Sequence, residues 1–292
     1  MDGIEAHNLD IWARWLLEVR HGGNADCLQR TLDELAPVRD RVLDKASLRE
    51  SDVVLDVGAG DGLIAFGALA RVGPNGRVIF SDVSRDLLEH CAKLAEEQGV
   101  RHRCSFIEAA AEDLAPIADG SVDVVTTRSV LIFSKDKRQA FSEFYRVLRP
   151  GGRASIFEPI NVYFGYPLPL TYEEGPVREL GEKVRAVYAQ IQPREDPMMD
   201  FDEHDLVEYA ESSGFTDIDL DLHVVVRRVE PLAWDTFLKR SGNPRIPPYG
   251  EAMSETLTPA EIEAYTRHLR PLVEQGQGVR RMASTFMRAI KP

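Results

Sequence analysis

The feature that most constrains this chain is an alternation of short apolar runs with helical-period stretches between residues 53 and 158. Val53-Val54-Leu55-Asp56-Val57 ends at Gly58-Ala59-Gly60-Asp61-Gly62, and a helical stretch follows to about Arg71. The pattern recurs as strand Arg77 to Ser81, helix Ser84 to Gln98 and strand Cys104 to Ala109, then as strand Val122 to Thr126 and helix Lys135 to Leu148. Arg149-Pro150-Gly151-Gly152 stops that helix, and Arg153 to Glu158 reads as a fifth strand. Parallel neighbours cannot be joined by a tight turn, so such an order places crossover helices on both faces of one sheet. Phe215 to Val226 and Val279 to Ile290 supply two more strands. The expected fold class is α/β, a doubly wound, mostly parallel seven-stranded sheet.

Around this core the texture changes. Ile4, Ile11, Trp12, Trp15, Leu16 and Val19 recur at helical spacing, as do Leu28, Leu32, Leu35, Val42 and Ala46, with Pro37 expected to kink or break the second helix. Tyrosines and prolines crowd residues 159–172, and a helix is expected from Glu173 to Ile191. Asp202 is placed as the N-cap of another helix. Thr258-Pro259-Ala260-Glu261 announces a capped helix inside a long connection between the last two strands. The expected organisation is an N-terminal helical cap over 1–50, a ligand-binding core over 51–158, lid helices over 159–200, a core continuation over 201–230, a helical insertion over 231–278 and the last strand over 279–292.

Among 292 residues, 35 Lys+Arg stand against 48 Asp+Glu, a formal charge of −13. That is no footprint for counterion-displacing nucleic-acid binding. No run approaches the ~20 apolar residues that span a membrane, and acidic residues stand where a signal peptide would carry positive charge. The odd, widely spaced Cys27, Cys91 and Cys104 fit neither a disulfide framework nor a metal site. The expectation is a cytoplasmic protein without metal, nucleic-acid or membrane partners.

The glycine turn ends the first strand and opens a helix, which lets backbone N–H groups approach a ligand. Leu63 stands where a dinucleotide fingerprint needs glycine or alanine, which disfavours nicotinamide or flavin. Asp82 ends the second strand 20 residues after Gly62, where a carboxylate can accept from both hydroxyls of a ribose. Ala110-Ala111-Glu112-Asp113-Leu114 follows the third strand beside the same crevice.

The segment Val54-Leu55-Asp56-Val57-Gly58-Ala59-Gly60-Asp61-Gly62, with Asp82 and Leu148-Arg149-Pro150-Gly151-Gly152, resembles the class I S-adenosylmethionine-dependent methyltransferases of small molecules over residues 50–160. The resemblance implies a Rossmann-like methyltransferase fold, S-adenosyl-L-methionine as cofactor and methyl transfer to a small-molecule acceptor. It implies that Asp56, Gly58, Ala59, Gly60 and Gly62 form the cofactor turn and that Asp82 holds the ribose. Val83 would pack on adenine, Ala111 and Glu112 would flank it, and Arg128 would line the methionine side. Ala110 departs from the aspartate that many relatives carry there. The alternatives are another reaction on the same cofactor, such as decarboxylation or rearrangement, and a non-catalytic binding protein.

In-line methyl transfer needs alignment, and a base only where the nucleophile starts protonated. Glu158 at the end of the fifth strand and His204 in the first turn of a helix are the base candidates. Tyr163, Tyr166 and Tyr172 are candidate walls of a substrate pocket. His223 alternates with Asp217, Asp219 and Asp221 and reads as part of a solvated strand face. Trp12 and Trp15 read as packing. The apolar stripe of the insertion is expected to cover the active site, with a homodimer interface as its alternative use.

Overall fold

A computed structural model describes residues 9–164 and 170–292. Its strands are β1 (Val53–Val57), β2 (Arg77–Asp82), β3 (Cys104–Glu108), β4 (Val122–Arg128), β5 (Leu148–Pro159), a two-residue β6 (Leu170–Thr171), β7 (Thr216–Arg228) and β8 (Val279–Ile290). The helices are α1 (Ile11–Arg14, continued by a π turn over Trp15–Val19), α2 (Ala25–Ala46), α3 (Leu63–Arg71), α4 (Arg85–Glu97), α5 (Lys137–Val147), α6 (Arg178–Ile191), α7 (Glu203–Ser212), α8 (Trp234–Lys239), α9 (Tyr249–Thr256) and α10 (Pro259–Glu274).

The sheet order is β3-β2-β1-β4-β5-β8, with β7 on the outer edge of β8 and β6 beside its start. The pairings β1/β2, β1/β4, β2/β3 and β4/β5 are parallel. Both β5 and β7 run antiparallel to β8, so β8 alone among the seven long strands opposes the rest. Chain order reverses between β1 and β4, and a doubly wound sheet opens its ligand crevice outside the strand ends at such a point.

The central strands are near-continuously apolar because both faces are covered. One face packs Leu55, Val125 and Ile156 against Phe141, Phe144 and Leu206 of α5 and α7. The opposite face packs Val54, Val124 and Phe80 against Leu43, Ala65 and Cys91 of α2, α3 and α4. A separate cluster joins Val184 and Tyr188 of α6, Phe237 of α8, Met253 of α9, and Tyr265 and Leu269 of α10. The lid and the insertion therefore share one apolar core outside the sheet.

Several expectations need correction. Helix α2 runs through Pro37 without a break. Pro37 and Asp33, whose carbonyl loses a partner there, are both exposed, so water can satisfy the freed group. Strand β5 begins at Leu148, since Leu148 itself pairs with Val122 before the Gly-Gly irregularity. Helix α6 starts at Arg178, after a short turn at Gly175–Val177. The caps at Asp202 and Thr258 form as expected, each as a reciprocal capping box. Asp219 and Asp221 on β7 pair with Lys45 and Arg41 of α2, a partner surface that strand alternation alone does not reveal. No described helix is long and apolar enough to cross a membrane.

Candidate active site

The glycine turn is built by close approach. Gly58 has φ +66° and a Cβ there would collide with Val130 Cγ2. Gly62 has φ +84°, and its Cβ would stand 2.5 Å from the Phe66 ring. Both the left-handed backbone and the lack of room demand glycine. Beneath the turn Asp56, fully buried, accepts from Thr126 Oγ1 at 2.8 Å and so joins β1 to β4. Burial pushes its carboxyl up to about 7, against the pull of that bond and of the Arg128 charge. Ala59 donates its N–H to Ser81 O at 2.9 Å, which keeps the turn against the end of β2.

Asp82 lies beside it. Its Oδ2 accepts from Gly60 N at 2.8 Å and its Oδ1 from Ser84 N at 2.9 Å, while burial raises its pKa. Each oxygen keeps a second lone-pair direction. The next residue, Val83, is 49% exposed between buried neighbours, an apolar side chain that nothing in the fold covers fully. Ala109 donates to Asp82 O at 3.0 Å, which draws the loop after β3 to the same edge. There Ala111 is buried. Glu112 Oε1 accepts from Ser134 Oγ at 2.7 Å and Lys135 N at 2.9 Å, which ties the loop to the start of α5.

Glu158 stands at the carboxyl end of β5, where the sequence places it, with no exposed surface. Its Oε1 accepts from Val130 N at 2.8 Å and Leu131 N at 2.9 Å, and its Oε2 from Ile132 N at 3.3 Å. Burial pushes this carboxyl up to about 7 as well. Its oxygens are given to the backbone, which makes Glu158 a residue that positions the loop after β4. His204 sits in the first turn of α7 with an 88% exposed side chain, next to Glu203. Among the described residues no hydrogen bond or ion pair joins it to the glycine turn.

The N-terminal segment closes over this edge. Asp10 caps α1, accepts from Ser84 Oγ at 2.7 Å, and donates its own N–H to Asp86 Oδ2 at 2.7 Å. Leu16 leans on Gly60, and Trp12 meets Phe133 edge-on at 4.9 Å. Trp15 Nε1 donates to Ser241 O at 3.1 Å, so the N-terminal segment and the insertion hold each other. Tyr172 is half-buried against Phe237 of α8, ring centroids 6.0 Å apart, and burial pushes its hydroxyl up to about 12. Tyr163 is 47% exposed and packs on Phe164. Tyr166 lies outside the described residues.

Three groups here were not singled out from sequence. Arg20 follows the π turn, its guanidinium over the Trp15 ring at 5.4 Å. Arg240, at the end of α8, donates through Nε to Arg20 O at 3.1 Å. His21 is buried, and its Nδ1 has no partner among the described residues. Arg128 ends β4, near enough for its charge to act on both Arg20 and Asp56. The adjacent Arg20-His21 pair was the available signal, but helical period gives no reason to bring it near β4.

Residues 54–152 match the model of a family described as a methyltransferase domain. Over that segment the chain is similar to methyltransferases. An arsenite methyltransferase of Halobacterium salinarum is 33% identical over 118 residues, which cover 40% of this chain and 29% of the relative. A ubiquinone/menaquinone biosynthesis C-methyltransferase of Hahella chejuensis is 35% identical over 116 residues, 40% of this chain and 46% of that one. The aligned region thus spans less than half of either relative. The crystal structure of a geranyl diphosphate C-methyltransferase from Streptomyces coelicolor, solved with S-adenosyl-L-homocysteine, superposes with a TM-score of 0.51 at 17% identity. It covers 88% of this chain and 76% of that one, and shows the shared fold.

Proposed function

We propose that this chain binds S-adenosyl-L-methionine at the glycine turn and transfers its methyl group to a small-molecule acceptor by in-line displacement. The observation that carries the reading is the Asp82 carboxylate, held by Gly60 N and Ser84 N beside a half-exposed Val83. That is an acid with spare acceptor capacity next to an apolar shelf, which suits a ribose bearing a flat base. At Gly58 the missing Cβ lets Val130 pack against the turn, which holds the backbone in its left-handed shape.

When bound, the cofactor supplies a methyl group already activated on a sulfonium. The chain's part is alignment and exclusion of water. Asp82 holds the ribose end, Ala111 and Glu112 border the base, and Arg128 offers its guanidinium to the amino-acid carboxylate. The N-terminal segment, through Leu16 and Trp12, and the insertion, through Ser241, roof the crevice. Tyr163 and Tyr172 are proposed to stand on the acceptor side. Glu158 acts by fixing residues 130–132, the loop that Trp12 touches through Phe133.

Calorimetry with S-adenosyl-L-homocysteine tests the reading. Asp82→Ala removes charge-assisted bonds of roughly 1.5–3 kcal/mol, so the affinity should fall about ten- to a hundredfold. Unchanged affinity would refute the site, and absence of label transfer from methyl-labelled cofactor to any small molecule of a cell extract would refute the reaction.

A further inference from the structure

Three arginines from different parts of the chain lie near one another: Arg240 donates to Arg20, and the charges of Arg128 and Arg240 act on Arg20. Arg20 comes from the N-terminal segment, Arg128 from the end of β4 and Arg240 from the insertion. The contacts that place Arg20 and Arg240 use one guanidinium face and one Nε, and leave the Nη groups of both over. Arg20 stacks over Trp15, whose Nε1 is held by Ser241 O, and Arg240 Nε is held by Arg20 O. Gly22 lets the segments approach, since a Cβ there would stand 2.9 Å from Thr236 O and 3.3 Å from Arg240 Cγ. None of the three forms an ion pair among the described residues.

Their neighbours do not balance them. Arg280 is spent on Glu34, and Asp61 is the carboxylate that offsets Arg20 and His21 here. Burial, Arg128 and Arg240 together bring Arg20 down to about 10, the mark of like charges held close in a poorly solvated place. The second observation is His21, adjacent in sequence and influenced by Arg20, Arg240 and Asp61, with its Nδ1 buried and unpartnered. A buried polar atom without a partner marks a place where a ligand or water completes the bonding.

On the methyltransferase reading above, the cofactor cannot supply the missing charge. It brings one carboxylate, but also an ammonium and a sulfonium, a net cation. One guanidinium, Arg128, suffices for that carboxylate. We infer that the acceptor is itself an anion, and that its carboxylate or phosphate group is held by Arg20 and Arg240 with His21 beside them. Guanidinium forks suit planar carboxylates and phosphates.

The test uses the full chain saturated with S-adenosyl-L-homocysteine, titrated with inorganic phosphate and with acetate. Wild type should bind at least one of them, and Arg240→Gln should weaken it about tenfold while the S-adenosyl-L-homocysteine affinity stays within about twofold. Arg20→Lys, which keeps the charge but not the stacked fork, gives a second reading if Arg240→Gln fails to fold, with a weakening of about threefold or more. Failure of wild type to bind either anion, or equal binding by the variants, would overturn the inference. A loss of S-adenosyl-L-homocysteine affinity at Arg240→Gln with anion binding unchanged would also overturn it, by giving the cluster to the cofactor. Failure of wild type to bind S-adenosyl-L-homocysteine would overturn the methyltransferase reading instead.

Discussion

Glu158 offers a perturbation whose cost can be worked from the structure. Its carboxylate takes three consecutive backbone N–H groups, two at 2.8 and 2.9 Å and one at 3.3 Å. Glu158→Ala leaves those donors facing a cavity, and each firmly bonded donor left unsatisfied costs about 1–3 kcal/mol. Two firm bonds and one weak one give a loss of about 3–5 kcal/mol, the range for breaking a buried charged network. Glu158→Gln keeps one carbonyl oxygen for Val130 and Leu131 but turns an N–H group toward Ile132 N, so about 1–2 kcal/mol is expected. The effect should reach the site, because Phe133 of the same loop supports Trp12 of the N-terminal segment. Urea unfolding measures the first quantity and calorimetry with S-adenosyl-L-homocysteine the second. The reasoning is refuted if Glu158→Ala lies within about 1 kcal/mol of wild type, or if Gln proves worse than Ala.

Gly58→Ala forces a left-handed alanine into Val130. It should cost about 2–4 kcal/mol in urea unfolding, and normal stability would mean the turn relaxes freely. Asp56 gives a pH signature. Its pKa rises to about 7 on folding, so between about pH 4 and 7 the native state keeps a proton that the unfolded chain has lost, and stability falls as pH rises. The difference between wild type and Asp56→Asn should therefore decline across that window by up to about 1.4 kcal/mol per pH unit. A pH-independent difference in urea midpoints would show that Asp56 ionises normally.

The sheet was legible because period carries it. Val279–Ile290 is found over the residues expected, and β1 to β4 are displaced by two residues at most, since buried parallel strands are apolar runs punctuated by glycine. The glycine turn was readable from its residue types, but the left-handed φ of Gly58, Gly60 and Gly62 was not. The rest depends on what meets what. Sequence placed Glu158 at the right strand end but could not show that residues 130–132 fold back onto its oxygens. His204 looked attractive by residue type, yet a helix first turn faces solvent as readily as a site. Arg20 and Arg240 stand 220 residues apart and meet through a side-chain donor and a backbone carbonyl. No local pattern encodes that contact.

The helical cap formed by α6, α8, α9 and α10 has its own apolar core, and this separates what a core mutation should do there from what it would do in the sheet. Leu269 is 1% exposed within the cluster of α6, α8, α9 and α10, while the sheet clusters on either face are built from other residues. Leu269→Ala should cost about 2–5 kcal/mol, drawn from the cap. Glu174 helps hold that unit together, accepting from Tyr265 Oη at 3.0 Å and from both Arg185 Nη atoms. If the cap opens alone, limited proteolysis of the variant should cut within 231–278 while S-adenosyl-L-homocysteine affinity stays within about twofold. Phosphate binding should fall at the same time, because Arg240 rides on α8 whereas Asp82 and the glycine turn do not. The opposite result, one cooperative transition in which protease resistance and S-adenosyl-L-homocysteine affinity vanish together, would show that the cap and the sheet unfold as one body and that the arginine cluster cannot be released from the proposed cofactor site.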